Sequence, residues 1–134
     1  RIAFRLNSVR KANAWFTTLF GGGCIFPSGE DSMWIKDLRK AGLTFYVSKE
    51  TIGQVSYDTS TWFTGYDRKY YYGVGACYTA MNPMTALVKF MYMIFRTKSK
   101  TKMSMTDKMK WMRHGAKGYH EMLSYKDYCE KYNL

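Results

Sequence analysis

Two of the chain's ten acidic residues stand side by side at Glu30-Asp31, at the mouth of a glycine-rich loop. They lie in the run Phe20-Gly-Gly-Gly-Cys-Ile-Phe-Pro-Ser-Gly-Glu-Asp-Ser-Met-Trp34. An ionised carboxylate at the edge of a cleft can take a proton from a hydroxyl as that hydroxyl attacks an electrophile. The same pair suits the start of a helix. Ser28 and Asp31 have capping-box spacing, and negative charge near a helix N-terminus gains about 0.3–1 kcal/mol. On the residues alone both readings stand. The glycines Gly21, Gly22 and Gly23 fit a helix stop, a phosphate cradle of backbone N–H groups, or a close approach of backbone to substrate. The phosphate-loop spacings GxxxxGK[ST] and GxGxxG are absent from the run.

A second cluster is Thr59-Ser60-Thr61-Trp62-Phe63. Hydroxyls beside a tryptophan face can hold a sugar ring or a lipid headgroup, and the plain alternative is a turn with Trp62 in the core. His114 and His120 are six apart and do not share a helix face, so they make no metal pair. Cys24, Cys77 and Cys129 are odd in number and form no CxxC, which argues against a zinc site and a disulfide framework and suits a reducing compartment.

The elements that must position these groups read as follows. Ile2, Phe4 and Leu6 alternate with Ala3 and Arg5 as a short strand, and a helix follows from Val9 to about Phe20. Trp34, Leu38 and Ala41 share a face of a helix from about Asp31 to Ala41, with Gly42 at the left-handed cap position. Strands are expected over 43–47 and, weakened by Gly53, over 51–57. Helical period returns at Tyr66, Tyr70, Val74, Cys77 and Met81. There Gly73 and Gly75 would let another backbone come close. Pro83 starts a helix to Phe95, a basic linker covers 96–102, and helices are expected over 105–123, with Met105, Met109, Met112, Ala116 and Tyr119 as its apolar stripe, and over 124–132. The Pro83–Phe95 segment fits either a core helix or one lying flat on an anionic bilayer, and the two can hold together. Two or three short strands do not make a sheet alone, so they call for partner strands. The chain opens at Arg1 without an initiator methionine, which reads as a piece of a longer protein.

With 134 residues and 46% apolar content the chain suits one domain, or one part of a larger one, and not a disordered tail. Aromatics make up 18%, mostly tyrosine. The net charge of +11 points to an anionic partner: a lipid surface, a nucleic acid or a phosphorylated substrate.

Taken together, these motifs resemble the second half of bacterial family 2 glycosyltransferases. The run is "SGEDSMWIKDLRKAGLTFYVSKETIGQVSYDTSTWFTGYDRKYYYGVGA" over 28–76. Phe4-Arg5, the "FGGG…SGED" block and "KAGLTFYV" match, as do "TSTWF.GY..KY" and "GAKGYHE" over 115–121. The resemblance covers nearly the whole chain. It implies an α/β class (α+β in isolation), as the C-terminal part of a GT-A fold ending in a mostly helical region. Residues 1–65 would be the acceptor-side part of the catalytic domain and 66–134 the helical region. The implied activity is transfer of a sugar from a nucleotide-sugar donor to a saccharide or lipid-linked acceptor hydroxyl by inverting displacement. Asp31 takes the role of general base. Glu30 and Trp62 would position the acceptor, Ser60 and Thr61 would bond its hydroxyls, and Gly22, Gly23 and Gly29 would form the substrate loop. The family's Asp-x-Asp motif occurs nowhere in this chain, and the neighbourhood where many relatives carry a histidine reads "IGQVSYDTST". A divalent metal, Mg or Mn, would therefore enter only through the missing nucleotide-binding half, without which the piece would be inactive. The location implied is cytoplasmic, at the inner face of the membrane, with 84–102 touching anionic lipid and an exposed sheet edge able to pair with a second copy. The rival reading is a non-enzymatic basic module on a membrane or a nucleic acid. Aromatics and Lys/Arg are not interleaved as in nucleic-acid binders, which argues against the latter.

Overall fold

Side-chain oxygens set the starts of four helices. Asp67 accepts from the Tyr70 N–H, Asn82 from Met84, Ser104 from Asp107 and Ser124 from Asp127. The computed structural model describes residues 2–51, 53, 63 and 65–134. Among these the elements are α1 (Leu6–Ala12), α2 (Glu30–Lys40), α3 (Arg68–Met81), α4 (Pro83–Arg96), α5 (Met105–His120) and α6 (Tyr125–Tyr132).

No strand occurs among the described residues; a single bridge joins Phe20 and Phe26. The α/β expectation is thereby corrected: the described chain is all-helical and is not a GT-A fold. The reason is a lack of neighbours. Residues 2–5 and 43–47 carry a strand pattern, but Ile2, Phe4, Phe45, Tyr46 and Val47 are exposed, Val47 at 99%. A strand is held by ladder bonds to another strand, and here none is offered. Leu6 is drawn into α1 instead. The described residues form no sheet, and so offer no sheet edge to pair with a second copy. The strand expected over 51–57 lies almost wholly outside the described residues.

The first helix is also shorter than its apolar spacing suggests. Asn13 turns left-handed at φ 48° and ends it. Ala14 then offers its carbonyl to the Trp34 indole N–H at 2.9 Å. Val9, Ala14, Trp34 and Leu38 form a small core of their own, with Phe16 stacked on Trp34 at 4.4 Å.

The main core lies around α3, which packs on α4, α5 and α6. Its crossing with α5 is built on glycine. A Cβ placed on Gly75 would land on the Met112 carbonyl, and one on Gly115 on the Tyr72 carbonyl. The two backbones therefore touch, as the small residues in α3 suggest. The faces are rotated from the expected stripes. Tyr71, Tyr72, Ala76 and Cys77 are buried on α3, and Lys108, Trp111, Met112, Gly115 and Gly118 on α5, while Met105 is exposed. Lys108, 1% exposed, donates to the Thr97 carbonyl at the end of α4 and lies over the Tyr71 ring. Burial lowers its pKa.

Buried phenols give the fold a pH limit. Tyr71 donates to Thr97 Oγ1 at 2.8 Å and Tyr72 to the Leu123 carbonyl at 2.7 Å. Burial, before any neighbouring charge, raises the pKa values of Tyr71, Tyr72, Tyr78 and Tyr128, and pushes Tyr70 up to about 12. A phenol whose folded pKa is raised contributes stability that is whole below pH ~10 and is lost as pH rises through the folded value. Lys108 and Lys36 act in the opposite sense, their contribution rising with pH up to the unfolded value, but they are fewer than the phenols. The urea midpoint is expected to fall steadily above pH ~10, in step with tyrosinate absorbance. A midpoint flat through that window contradicts this assignment.

Candidate functional site

The glycine-rich loop is pinned at both ends. Phe20 and Phe26 are buried and stacked at 4.8 Å, and Tyr119 of α5 lies 6.2 and 6.0 Å from their rings. The Gly21 N–H donates to the Phe26 carbonyl at 2.9 Å, and the Phe26 N–H to Leu19 at 3.0 Å. Pro27 rests on α3: a Cβ at Gly73 would meet its ring at 3.8 Å. One turn further along, a Cβ on Gly29 would lie 2.6 Å from Cys77 Sγ. Burial pushes the Cys77 thiol up to about 11, so it packs as a small neutral group.

Gly29 has φ 119° and is the N-cap of α2, with no side chain bonding the helix N–H groups. The capping box expected from Ser28 and Asp31 is not formed. Gly29 takes the cap position because only glycine combines this φ with contact to Cys77. Alanine at Gly29 is expected to destabilise the protein by about 2–4 kcal/mol, the sum of overpacking and left-handed strain. Adding Cys77→Ala should return part of that loss, the steric part, in chemical denaturation. No loss in the single variant would contradict the clamp.

The far end of α2 is fixed as its sequence predicts. Gly42 at φ 82° donates to Arg39, and Leu43 donates to Leu38, the paired bonds of a left-handed C-terminal cap. On its flank the Lys36 ammonium donates to the Met81 carbonyl at the end of α3. Burial, then Lys40, lowers the Lys36 pKa.

These anchors leave Glu30 and Asp31 in the first turn of α2, beside the positive end of its dipole. Glu30 is half-buried and folds back on the loop, its carboxylate about where a Cβ at Gly21 would touch it, at 3.5–3.6 Å. Asp31 is exposed. Among the described residues its carboxylate takes part in no ion pair and no hydrogen bond. Gly22 and Gly23 are exposed, and the space above Gly23 is open. Thus Glu30 is brought onto the loop at Gly21, and Gly29 and Asp31 adjoin it in the chain. Ser60, Thr61 and Trp62 lie outside the described residues. Their neighbour Phe63 meets Tyr66 and Tyr70 edge to face at 5.0 and 5.7 Å.

The arrangement presents one free carboxylate, one folded-back carboxylate and a stretch of bare backbone. It can accept a proton at Asp31. No group of three His, Cys, Asp or Glu that could hold a metal occurs among the described residues. His114 packs between Trp111 and Tyr128, its Nδ1 2.9 Å from the Tyr128 hydroxyl, away from the loop. Burial, then Lys110 and Lys117, lowers its pKa. The "GAKGYHE" block is structural here. Gly115 and Gly118 make the helix crossing, and Glu121 accepts from Tyr132 and Lys131 to hold α6.

The residues that build the site without touching its chemistry are Phe20, Phe26, Pro27 and Cys77. Phe20 and Phe26 flank the glycines symmetrically enough to mark a closed loop; nothing local marks Cys77. Comparison with models of known families, with curated proteins and with solved structures finds no match for this chain.

Proposed function

We propose that the chain supplies the acceptor side of a glycosyl-transfer site, with Asp31 as the general base. The observation that carries this is a carboxylate that stands exposed at a helix start with no partner among the described residues, in a chain where Lys and Arg outnumber acids 21 to 10. Several other carboxylates have partners: Glu121 pairs with Lys131, and Asp107 and Asp127 accept from Ser104 and Ser124.

In the proposed step Asp31 takes the proton of an acceptor hydroxyl. The oxygen forms a bond to the anomeric carbon of the donor sugar. The bond from that carbon to the nucleoside diphosphate breaks, and its electron pair leaves with the phosphate. Attack and departure on opposite faces invert the anomeric configuration. Glu30, held over the loop, orients the acceptor, and the bare edge at Gly22 and Gly23 gives it room. Ser60, Thr61 and Trp62 are proposed to bond and stack on the acceptor ring. The nucleotide donor, and any Mg or Mn with it, is bound by a part of the enzyme outside this chain. Three free thiols suit a reducing, cytoplasmic setting. The test is sugar transfer by the intact enzyme carrying Asp31→Asn.

A further inference from the structure

α4 is apolar on two faces, and only one of them is used. Ala86, Phe90, Met93 and Ile94 are buried in the core. Met84, Leu87, Val88, Met91 and Phe95 recur at three- and four-residue spacing on the opposite side and are exposed, Met84 at 94% and Val88 at 72%. Such a stripe in water needs an explanation.

The stripe is bracketed by cations. Lys89 and Arg96 flank it on α4 itself, and Arg96 lies over the Tyr92 ring. On the other side a cavity of about 550 Å³ opens between α4 and α5, with Met91, Ile94, Met105 and Met109 in its wall and Lys110 and Arg113 at the same place. Lys98, Lys100 and Lys102 follow the helix. No Asp or Glu occurs between Asp67 and Asp107.

We infer that this face of α4 lies flat in the surface of an anionic lipid bilayer, with the stripe among the acyl chains and the flanking cations at the headgroups. Charge decides the occupant. A second copy would set the same cation rows, on a chain of net charge +11, against each other. An anionic bilayer offers acyl chains for the stripe and phosphates for both flanks. The helix cannot cross it: no helix of the described residues is long and apolar enough. This inference does not rest on the sugar-transfer reading.

The experiment is co-sedimentation of the chain with vesicles of phosphatidylcholine alone and of phosphatidylcholine with phosphatidylglycerol. Binding is expected to the anionic vesicles and to be weak on the neutral ones. The pair Lys110→Gln and Arg113→Gln is expected to lower the partition coefficient roughly 25-fold, about 5-fold for each cation. Met84→Glu with Val88→Glu, at positions that touch little else, is expected to abolish binding while the circular dichroism spectrum stays unchanged. Equal binding by wild type and the Met84→Glu, Val88→Glu variant overturns the inference. So does self-association lost in that variant without any vesicle binding, which assigns the stripe to a second copy. Retention of DNA but not of vesicles assigns the charge to nucleic acid and overturns it too. Should the glutamate pair fail to fold, the wild-type preference for anionic over neutral vesicles still decides: no preference contradicts the inference.

Discussion

Alanine at Gly75 or Gly115 is expected to unfold the protein under conditions where alanine at Gly73 leaves it at least as stable. The three glycines lie in the two central helices, and on helix propensity alone each substitution should gain about 1 kcal/mol. At Gly73 the new methyl meets the Pro27 ring at 3.8 Å, an ordinary contact, so that gain is kept. At Gly75 and Gly115 it meets backbone carbonyls of the facing helix. A carbonyl inside a helix cannot swing aside, so α3 and α5 must separate. Separation would also open the packing of Tyr71, Tyr72, Trp111 and Met112, which the crossing buries. A loss of about 4 kcal/mol or more is expected, a large fraction of the ~5–15 kcal/mol that holds a typical domain. Urea denaturation of the three alanine variants measures it. Equal stability at positions 73 and 75 would mean that the helices do not cross backbone to backbone.

Asp31→Asn in the intact enzyme is expected to lower kcat by about 10²–10⁴ with little change in KM for the acceptor. An amide keeps the shape of the carboxylate but cannot take the proton. The side chain is exposed in the first turn of α2, so the variant should lose at most about 1 kcal/mol of stability, the helix-dipole contribution. Glu30→Gln should behave differently. Its side chain folds on the loop, so its effect belongs mainly in acceptor KM. Ser28→Ala serves as the control, since Ser28 makes no cap bond in this fold. A fall in kcat for Asp31→Asn together with a large loss of stability would point to structure rather than chemistry.

What could be read from the sequence divides along local and non-local lines. The helices α2 to α6 follow from local signals: caps at Asp67, Asn82, Ser104 and Ser124, Pro83 at a first turn, Gly42 at a left-handed end. The carboxylate pair at a helix mouth was equally local. Strands failed because Ile2, Phe4 and Phe45 to Val47 carry the right alternation, while pairing depends on another segment that period cannot reveal. The α3 and α5 faces were rotated because counting apolar residues gives no weight to glycine. Yet Gly75, Gly115 and Gly118 are the contact. Lys108 carries no local signal of its burial: a carbonyl at the end of α4 and a tyrosine ring receive it inside. The anchoring of the loop by Cys77 joins residues 48 apart in sequence, and no spacing rule reaches that far.

The central claim is that Asp31 removes a proton from an incoming sugar hydroxyl. Chemical rescue tests it most directly. With Asp31→Ala in the intact enzyme, sugar transfer from a nucleotide donor should nearly cease, and added formate should restore part of the rate by standing in for the missing carboxylate. Formate should leave the wild-type rate unchanged. Transfer by Asp31→Ala at near the wild-type rate would contradict the claim, and so would an intact wild-type enzyme that transfers no sugar.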